Sequence, residues 1–262
     1  MHDDDEQRPA KAARARREAA RVLSRLGREG GPHPVEAVLV VDAHPTMRVW
    51  DGAVQGDLVE ELERAGRFTR VRVVRLLGTD ETDPAQARTE EPLGAPDAGV
   101  RRVVLVLTDG IAAGWRLGTV HPLLREWGRA QPVAVAHLLP PHLWFRTGLD
   151  VYRVRIRSPR PWAANSAWSW TEREAPAGSG DDEGRDAEAA APVVVPVLAL
   201  SERWAAVLFR LVSGAEPEWL DLAAVQAREW KSRPDAARAL PWAQDLRRGR
   251  RSRRGRSLRM RA

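Results

Sequence analysis

Apolar residues along this chain gather in short unbroken runs separated by amphipathic stretches. Ala37-Val38-Leu39-Val40-Val41 is one such run, closed by Asp42, and Val103 to Leu107 is another, closed by Thr108-Asp109-Gly110. A run without polar alternation predicts a strand covered on both faces, as in a parallel sheet. Phe68–Leu77 predicts a strand with one partly exposed face, because Arg70, Arg72 and Arg75 interrupt its apolar positions, and Pro132–Leu138 predicts a fourth strand. Trp50–Ala65 places Val54, Leu58, Val59 and Leu62 on one helical face and stops at Gly66. Thr119–Arg129 predicts a second helix.

Strands alternating with helices of this length predict an α/β fold: a doubly wound, mostly parallel, Rossmann-like sheet with flexible N- and C-terminal extensions. Three segments are expected. Residues 1–34 form a charged arm with a helix over Lys11–Leu26, read as mobile or docking because only Val22, Leu23 and Leu26 give it apolar positions. Residues 35–214 form the α/β domain, with a disordered loop at about 172–191 that is rich in Gly, Ser and Asp. Residues 215–262 form a C-terminal helix over Glu218–Trp230 and a disordered Arg-rich tail. Within the second half of the domain, Tyr152–Ile156 and Val193–Leu200 both predict edge strands, the latter because Pro196 interrupts it. Ser201 is placed to cap a helix running to about Ser213.

Charge changes the picture only at one end. The chain has 262 residues, 42 Lys+Arg and 36 Asp+Glu, a formal net of +6. Nine arginines and no acid lie in 247–262; setting them aside leaves 33 basic against 36 acidic residues, a net of −3. Polyanion affinity is therefore expected of the tail, through Arg247, Arg248, Arg250, Arg251, Arg253 and Arg254, and not of the folded body. The absence of cysteine rules out disulfides, thiolate metal sites and a cysteine nucleophile. No apolar run approaches the ~20 residues that span a bilayer, and the acidic start, Met1-His2-Asp3-Asp4-Asp5-Glu6, is unlike a signal peptide. The expectation is a cytoplasmic protein without a transmembrane segment.

The candidate chemistry sits where the two apolar runs end. In parallel sheets, ligands bind outside the carboxyl ends of the strands. Asp42 and Asp109 lie just past two such ends, in Asp42-Ala43-His44-Pro45-Thr46 and Thr108-Asp109-Gly110. These two pieces resemble the von Willebrand factor A family, in which one strand ends in Asp-x-Ser-x-Ser and a later one in Thr-Asp-Gly. The stretches 38–50, 103–115 and 131–147, with 196–212, extend the likeness over about residues 36–214. More narrowly it is a likeness to A-type modules near the N-terminus of actinobacterial multidomain signalling and conflict proteins. The resemblance implies an A-type fold, a non-catalytic protein-binding role and a Mg²⁺ ion at a metal-ion-dependent adhesion site. It assigns Asp42, Thr46 and Asp109 as metal ligands, with Thr79 and Thr82 as candidates for the intermediate threonine. His44 stands where the family has its middle serine, so the site is expected to be degenerate: imidazole is a poor Mg²⁺ ligand. A partner-binding rim is expected around His44, Trp115 and Arg116, within the loop Trp115–Gly118. The cofactor expectation is accordingly none, or Mg²⁺, and the partner a protein.

Two alternatives share these residues or avoid them. Nucleic acid could be held by the Arg-rich tail, although the tail has no aromatic residue to stack on bases. A degenerate haloacid dehalogenase-like phosphohydrolase would use Asp42 as nucleophile with Thr46 and Thr108. Its lysine is hard to place, since Lys11 and Lys231 are the only lysines. No Gly-x-x-x-x-Gly-Lys-Ser/Thr, His-x-x-x-His or Gly-x-Ser-x-Gly occurs. Trp162, Trp168 and Trp170 are expected to cover the sheet edge as a minor core, and His137 to be a satisfied core histidine.

Overall fold

In a computed structural model of the protein, residues 3–29, 31–81, 83–172, 192–214 and 218–227 are described. The strands are β1 (Val35–Asp42), β2 (Arg70–Leu77), β3 (Arg88–Thr89), β4 (Arg101–Thr108), β5 (Val133–His137), β6 (Tyr152–Arg157), β7 (Ser169–Glu172), β8 (Val193–Ala199) and β9 (Leu220–Ala227). The α-helices are α1 (Asp3–Ser24), α2 (Glu60–Arg64), α3 (Ala113–Leu117), α4 (His121–Ala130) and α5 (Glu202–Ser213). The strands form one nine-stranded sheet in the order β3-β2-β1-β4-β5-β8-β9-β6-β7. The central strands β2, β1, β4, β5 and β8 are parallel, and β3, β9 and β7 each pair antiparallel with a neighbour. The chain is thus α/β with a large mixed sheet that is mostly parallel at its centre.

Both faces of the sheet are covered at its centre, as the unbroken apolar runs require. Along β1, Val38 and Val40 pack with Trp115, Val120, Leu124 and Trp127 from the α3–α4 segment. Ala37 and Leu39 point the other way, to Leu58 and Leu62 of the helical segment after β1, Leu208 of α5 and Ala19, Ala20 and Leu23 of α1. The segment after β1 is helical as predicted but irregular: a 3₁₀ stretch at Pro45–Trp50, a π-helical turn at Ala53–Val59, then α2.

The N-terminal helix corrects an expectation. It is docked and contributes to the core: Ala19, Ala20 and Leu26 are fully buried, and Arg16 and Arg17 hold Asp57 while Arg21 holds Glu61. Those guanidinium contacts pull the Glu61 carboxyl below its usual range, the Arg21 hydrogen bond being the largest cause. The alternation of small alanines with arginines hid this face, because alanine packs closely without registering as strongly apolar.

Three further expectations fail in the second half of the domain. Glu218–Trp230 was expected to be helical, but Leu220–Ala227 is strand β9. Its Leu220, Leu222 and Ala224 alternate into one apolar cluster with Ile156 and Trp168, while Val225 and Ala227 face another. β8 is internal and not an edge: it pairs with β5 on one side and β9 on the other, and the registered pairs with β5 begin at Val197, just past Pro196. β6 also lies inside, between β9 and β7. Asn165 joins the amino ends of β5 and β8. It is buried, its amide donates to the Val133 and Val194 carbonyls at 2.9 Å each, and it accepts from the Val133 N–H at 2.7 Å. Trp168 is buried and Trp162 and Trp170 are half-buried, all packed against neighbouring apolar residues.

Ser201 occupies the N-cap of α5 with extended backbone but without a side-chain capping bond. No helix among the described residues is long and apolar enough to cross a membrane. Met1–Trp230 is one compact unit, and Lys231–Ala262 lies outside the described residues. The tail arginines, Thr82 and, apart from Glu172 at the end of β7, the loop expected at about 172–191 lie outside them as well.

Candidate functional site at the strand ends

β1 leads through its helical segment to β2 on one side, while β4, on the other side of β1, leads through α3 and α4 to β5. The loops after β1 and β4 therefore diverge, and the sheet opens between them at a topological switch point. Asp42 ends β1 and Asp109 follows β4, so the apolar runs do deliver both aspartates to this crevice.

What surrounds Asp42 differs from a metal site. Its carboxylate is 1% exposed. Oδ1 accepts from the Thr79 hydroxyl at 2.8 Å and the His44 N–H at 3.0 Å. Oδ2 accepts from the Thr108 hydroxyl at 2.8 Å and the Trp115 indole N–H at 2.8 Å. A carboxylate has about four lone-pair sites, and four protein donors fill them. Thr79, one of the two candidate threonines, thus reaches Asp42.

Glycine permits the approach of these loops. The Gly114 N–H donates to the Thr79 carbonyl at 2.6 Å, and a Cβ on Gly114 would stand 2.5 Å from that oxygen. Any side chain there would separate Thr79 and Trp115 from Asp42. Gly110, at φ +66°, turns the Thr-Asp-Gly segment, and a Cβ on it would lie 2.3 Å from Leu149 Cδ1.

The other expected ligands are engaged elsewhere. Thr46 Oγ1 lies 2.7 Å from His44 Nδ1, which also accepts from the Thr46 N–H. His44 Nε2 lies 3.1 Å from Asp80 Oδ1. Asp109 is buried and accepts from the Ile111 N–H at 3.0 Å. No group of three or more His, Cys, Asp or Glu side chains suited to a metal occurs among the described residues. The donor set does not fit Mg²⁺: a cation at Asp42 would face an indole N–H and an amide N–H whose positive ends already point at the oxygens. Nor does the buried, four-fold-bonded Asp42 suit an attacking nucleophile, which needs a lone pair free to meet phosphorus.

Trp115 is a correction in its own right. It was expected on an exposed rim, but it is 1% exposed and belongs to the core. Arg116, its neighbour, is exposed at the surface and lines a cleft with residues that follow β5. His44 is half-buried.

His137, at the end of β5, is fully buried and stacks on Trp144 with ring centroids 5.3 Å apart. Its Nδ1 accepts from the Leu139 N–H. Burial lowers its pKa from the usual value to about 4, a shift that the nearby Asp109 charge opposes.

One feature of the rim carried no signal in the sequence. Four large apolar side chains are exposed among the described residues: Val49, Val73, Ile111 and Phe145. Val49, Ile111 and Phe145 lie in the segments leaving the carboxyl ends of β1, β4 and β5, three neighbouring strands, and are 79%, 46% and 76% exposed. Isolated apolar letters in loops look like noise until the sheet order places their loops side by side.

Compared with known proteins, the chain matches no family model, and no curated protein matches it.

Proposed function

We propose that this protein is a non-catalytic protein–protein interaction module of von Willebrand factor A-like, doubly wound type, acting through its strand-end rim. The observation that carries this reading is the placement of Val49, Ile111 and Phe145 on the loops after three neighbouring strands. Apolar side chains held in solvent on the loops of three neighbouring strands gain burial if a partner covers that rim. The hydrogen bonding of Asp42 supports the same reading: it ties the loops after β1, β2 and β4 together and so holds the rim rigid, which lowers the entropy lost on binding. In this reading the Trp115 indole and the two threonine hydroxyls stabilise the Asp42 carboxylate in the place that a metal takes in the family it resembles.

The test is site-specific photo-crosslinking in the native host. A photoreactive side chain is placed in turn at positions 49, 111, 145 and, as control, 73 on β2. The expected result is one recurrent adduct from the first three positions and none from 73, with the captured protein then rebuilding the complex from purified components. Adducts from all four positions alike, or from 73 alone, would sink the rim reading. If instead capture depends on Arg247–Arg254, the tail is the binding element.

A further inference from the structure

The Phe145 side of the rim opens into a cleft of about 1030 Å³, beyond the carboxyl ends of β5 and β8, whose walls include Arg116, Arg153, Arg203, Trp144, Phe145 and Trp204. We propose that this cleft receives an acidic peptide segment of the partner bearing one large apolar side chain. This rests on the rim reading above and adds the chemistry of what is bound.

The apolar part of the site is pre-organised. Trp144 is buried behind the wall, stacked on His137, with its indole N–H donating to the Leu139 carbonyl at 2.8 Å. Trp204, at the start of α5, meets Trp144 with centroids 6.1 Å apart and a tilt of 49°. The Thr147 hydroxyl donates to the Trp144 carbonyl at 2.7 Å and fixes the turn that carries Phe145. An aromatic or long aliphatic side chain entering here meets rings that need not reorder.

The charge is complementary to carboxylates. Arg153 and Arg203 are exposed on the cleft and have no carboxylate partner among the described residues. The two aspartates in the same walls are already attended by neighbours: the Tyr152 hydroxyl donates to Asp150 at 2.6 Å, and Arg155 Nε lies 3.8 Å from Asp221. Those two aspartates disfavour a polyphosphate backbone laid along the cleft, whereas one or two carboxylates aimed at Arg153 and Arg203 avoid them. The volume also stands at the upper limit for small-molecule pockets, roughly 300–1,000 Å³, and the 76% exposure of Phe145 extends the apolar surface beyond the cleft mouth.

The experiment is fluorescence anisotropy on the full chain with four labelled probes. These are the capped peptide Gly-Asp-Phe-Asp-Gly, the same peptide with Ala for Phe, its uncharged counterpart Gly-Asn-Phe-Asn-Gly, and an oligothymidylate. The first probe is expected to bind at least about tenfold more tightly than either control peptide, the effect of two charge-assisted hydrogen bonds with a buried ring. That preference should vanish in Arg153→Ala/Arg203→Ala, and in the milder Arg153→Gln/Arg203→Gln should the first variant misfold. It should persist when Arg250, Arg251, Arg253 and Arg254 are changed to Ala, which removes binding by charge alone. Equal affinity for the two acidic peptides, tightest binding to the oligothymidylate, or a preference that survives loss of both cleft arginines would overturn the proposal. If the preference fails while adducts at 49, 111 and 145 persist, the cleft chemistry alone is wrong. If those adducts are absent, the rim reading itself has failed.

Discussion

At the ends of β1 and β4, Asp42 keeps both carboxylate oxygens on four protein donors; beyond β5 and β8, Arg153 and Arg203 face solvent without a carboxylate partner among the described residues. The first region lies past strand ends of the sheet, where such folds place their ligands; the second adjoins the ends of β5 and β8 and takes in Arg153 of β6. The difference is in who satisfies the charge. A buried carboxylate cannot be left unpaired, so the loops close on it and the site is spent on structure. Exposed guanidinium groups are satisfied by water at little cost, so they remain available to a partner. The residue that resembles a known ligand site is thus the less suited of the two to binding, and the cleft without a motif is the better.

The largest expected effect tests whether Asp42 is a structural lock. Asp42→Ala would leave two hydroxyls, an indole N–H and a backbone N–H buried without an acceptor, a loss of roughly 3–5 kcal/mol by chemical unfolding. A loss below about 1 kcal/mol would show that water replaces the carboxylate and that the site is open.

The second effect is pH dependence from His137, whose folded pKa is depressed to about 4. The unfolded chain takes up that proton first, so the stability conferred by neutral His137 is whole above about pH 6.5, falls as the pH drops towards 4, and levels off below. The span is roughly 3 kcal/mol. It is read as the difference between wild type and His137→Phe in urea melts from pH 7.5 to 4, which removes the contribution of carboxylates such as Glu61. A constant difference across that range would refute the burial argument.

Trp115→Phe keeps most of the buried ring and deletes only the N–H to Asp42; the expected loss is about 1–2 kcal/mol. Should Trp115→Phe instead create a Mg²⁺-dependent gain in stability, the indole would be shown to occupy the place of a cation. Phe145→Ser is expected to change stability by no more than about 0.5 kcal/mol, because the ring is exposed, while abolishing adducts at the rim. The smallest effect is that of metal itself. Mg²⁺, Mn²⁺ or EDTA should leave the melting temperature of the wild type unchanged. A true ligand at 100 times its Kd would add about 2.7 kcal/mol, and such a gain, lost in Asp109→Ala, would reverse the reading of the Asp42 crevice.

Much of the sheet was legible because its central strands are local events in the sequence. Unbroken apolar runs marked β1, β4 and β5, and helical periodicity marked α4, α5 and the segment after β1, since a strand buried on both faces is apolar through its middle and admits polar residues mainly near its ends, as Glu36, Arg102 and His137 do. The same reasoning carried Asp42 and Asp109 to the strand ends. It stopped at their partners, which lie far along the chain. Thr79, Thr108 and Trp115 are 37, 66 and 73 residues from Asp42, and nothing within a local window says that they converge.

Tertiary structure alone decided the outer strands and the availability of the site. Leu220–Ala227, with two Leu and three Ala in eight residues, has helix-forming composition, yet the space between β8 and β6 accepts a strand and buries its alternating Leu220, Leu222 and Ala224. β8 reads as an edge because of Pro196 until β5 and β9 flank it. The sequence by itself determined that strands would end in acidic residues at one rim. Only the packing of distant loops determined that the first of those acids would be sealed by hydrogen bonds while Arg153 on β6 and Arg203 after β8 stayed exposed. Hydrogen-bond partners and solvent access are properties of three-dimensional neighbours, which periodicity along a chain does not encode.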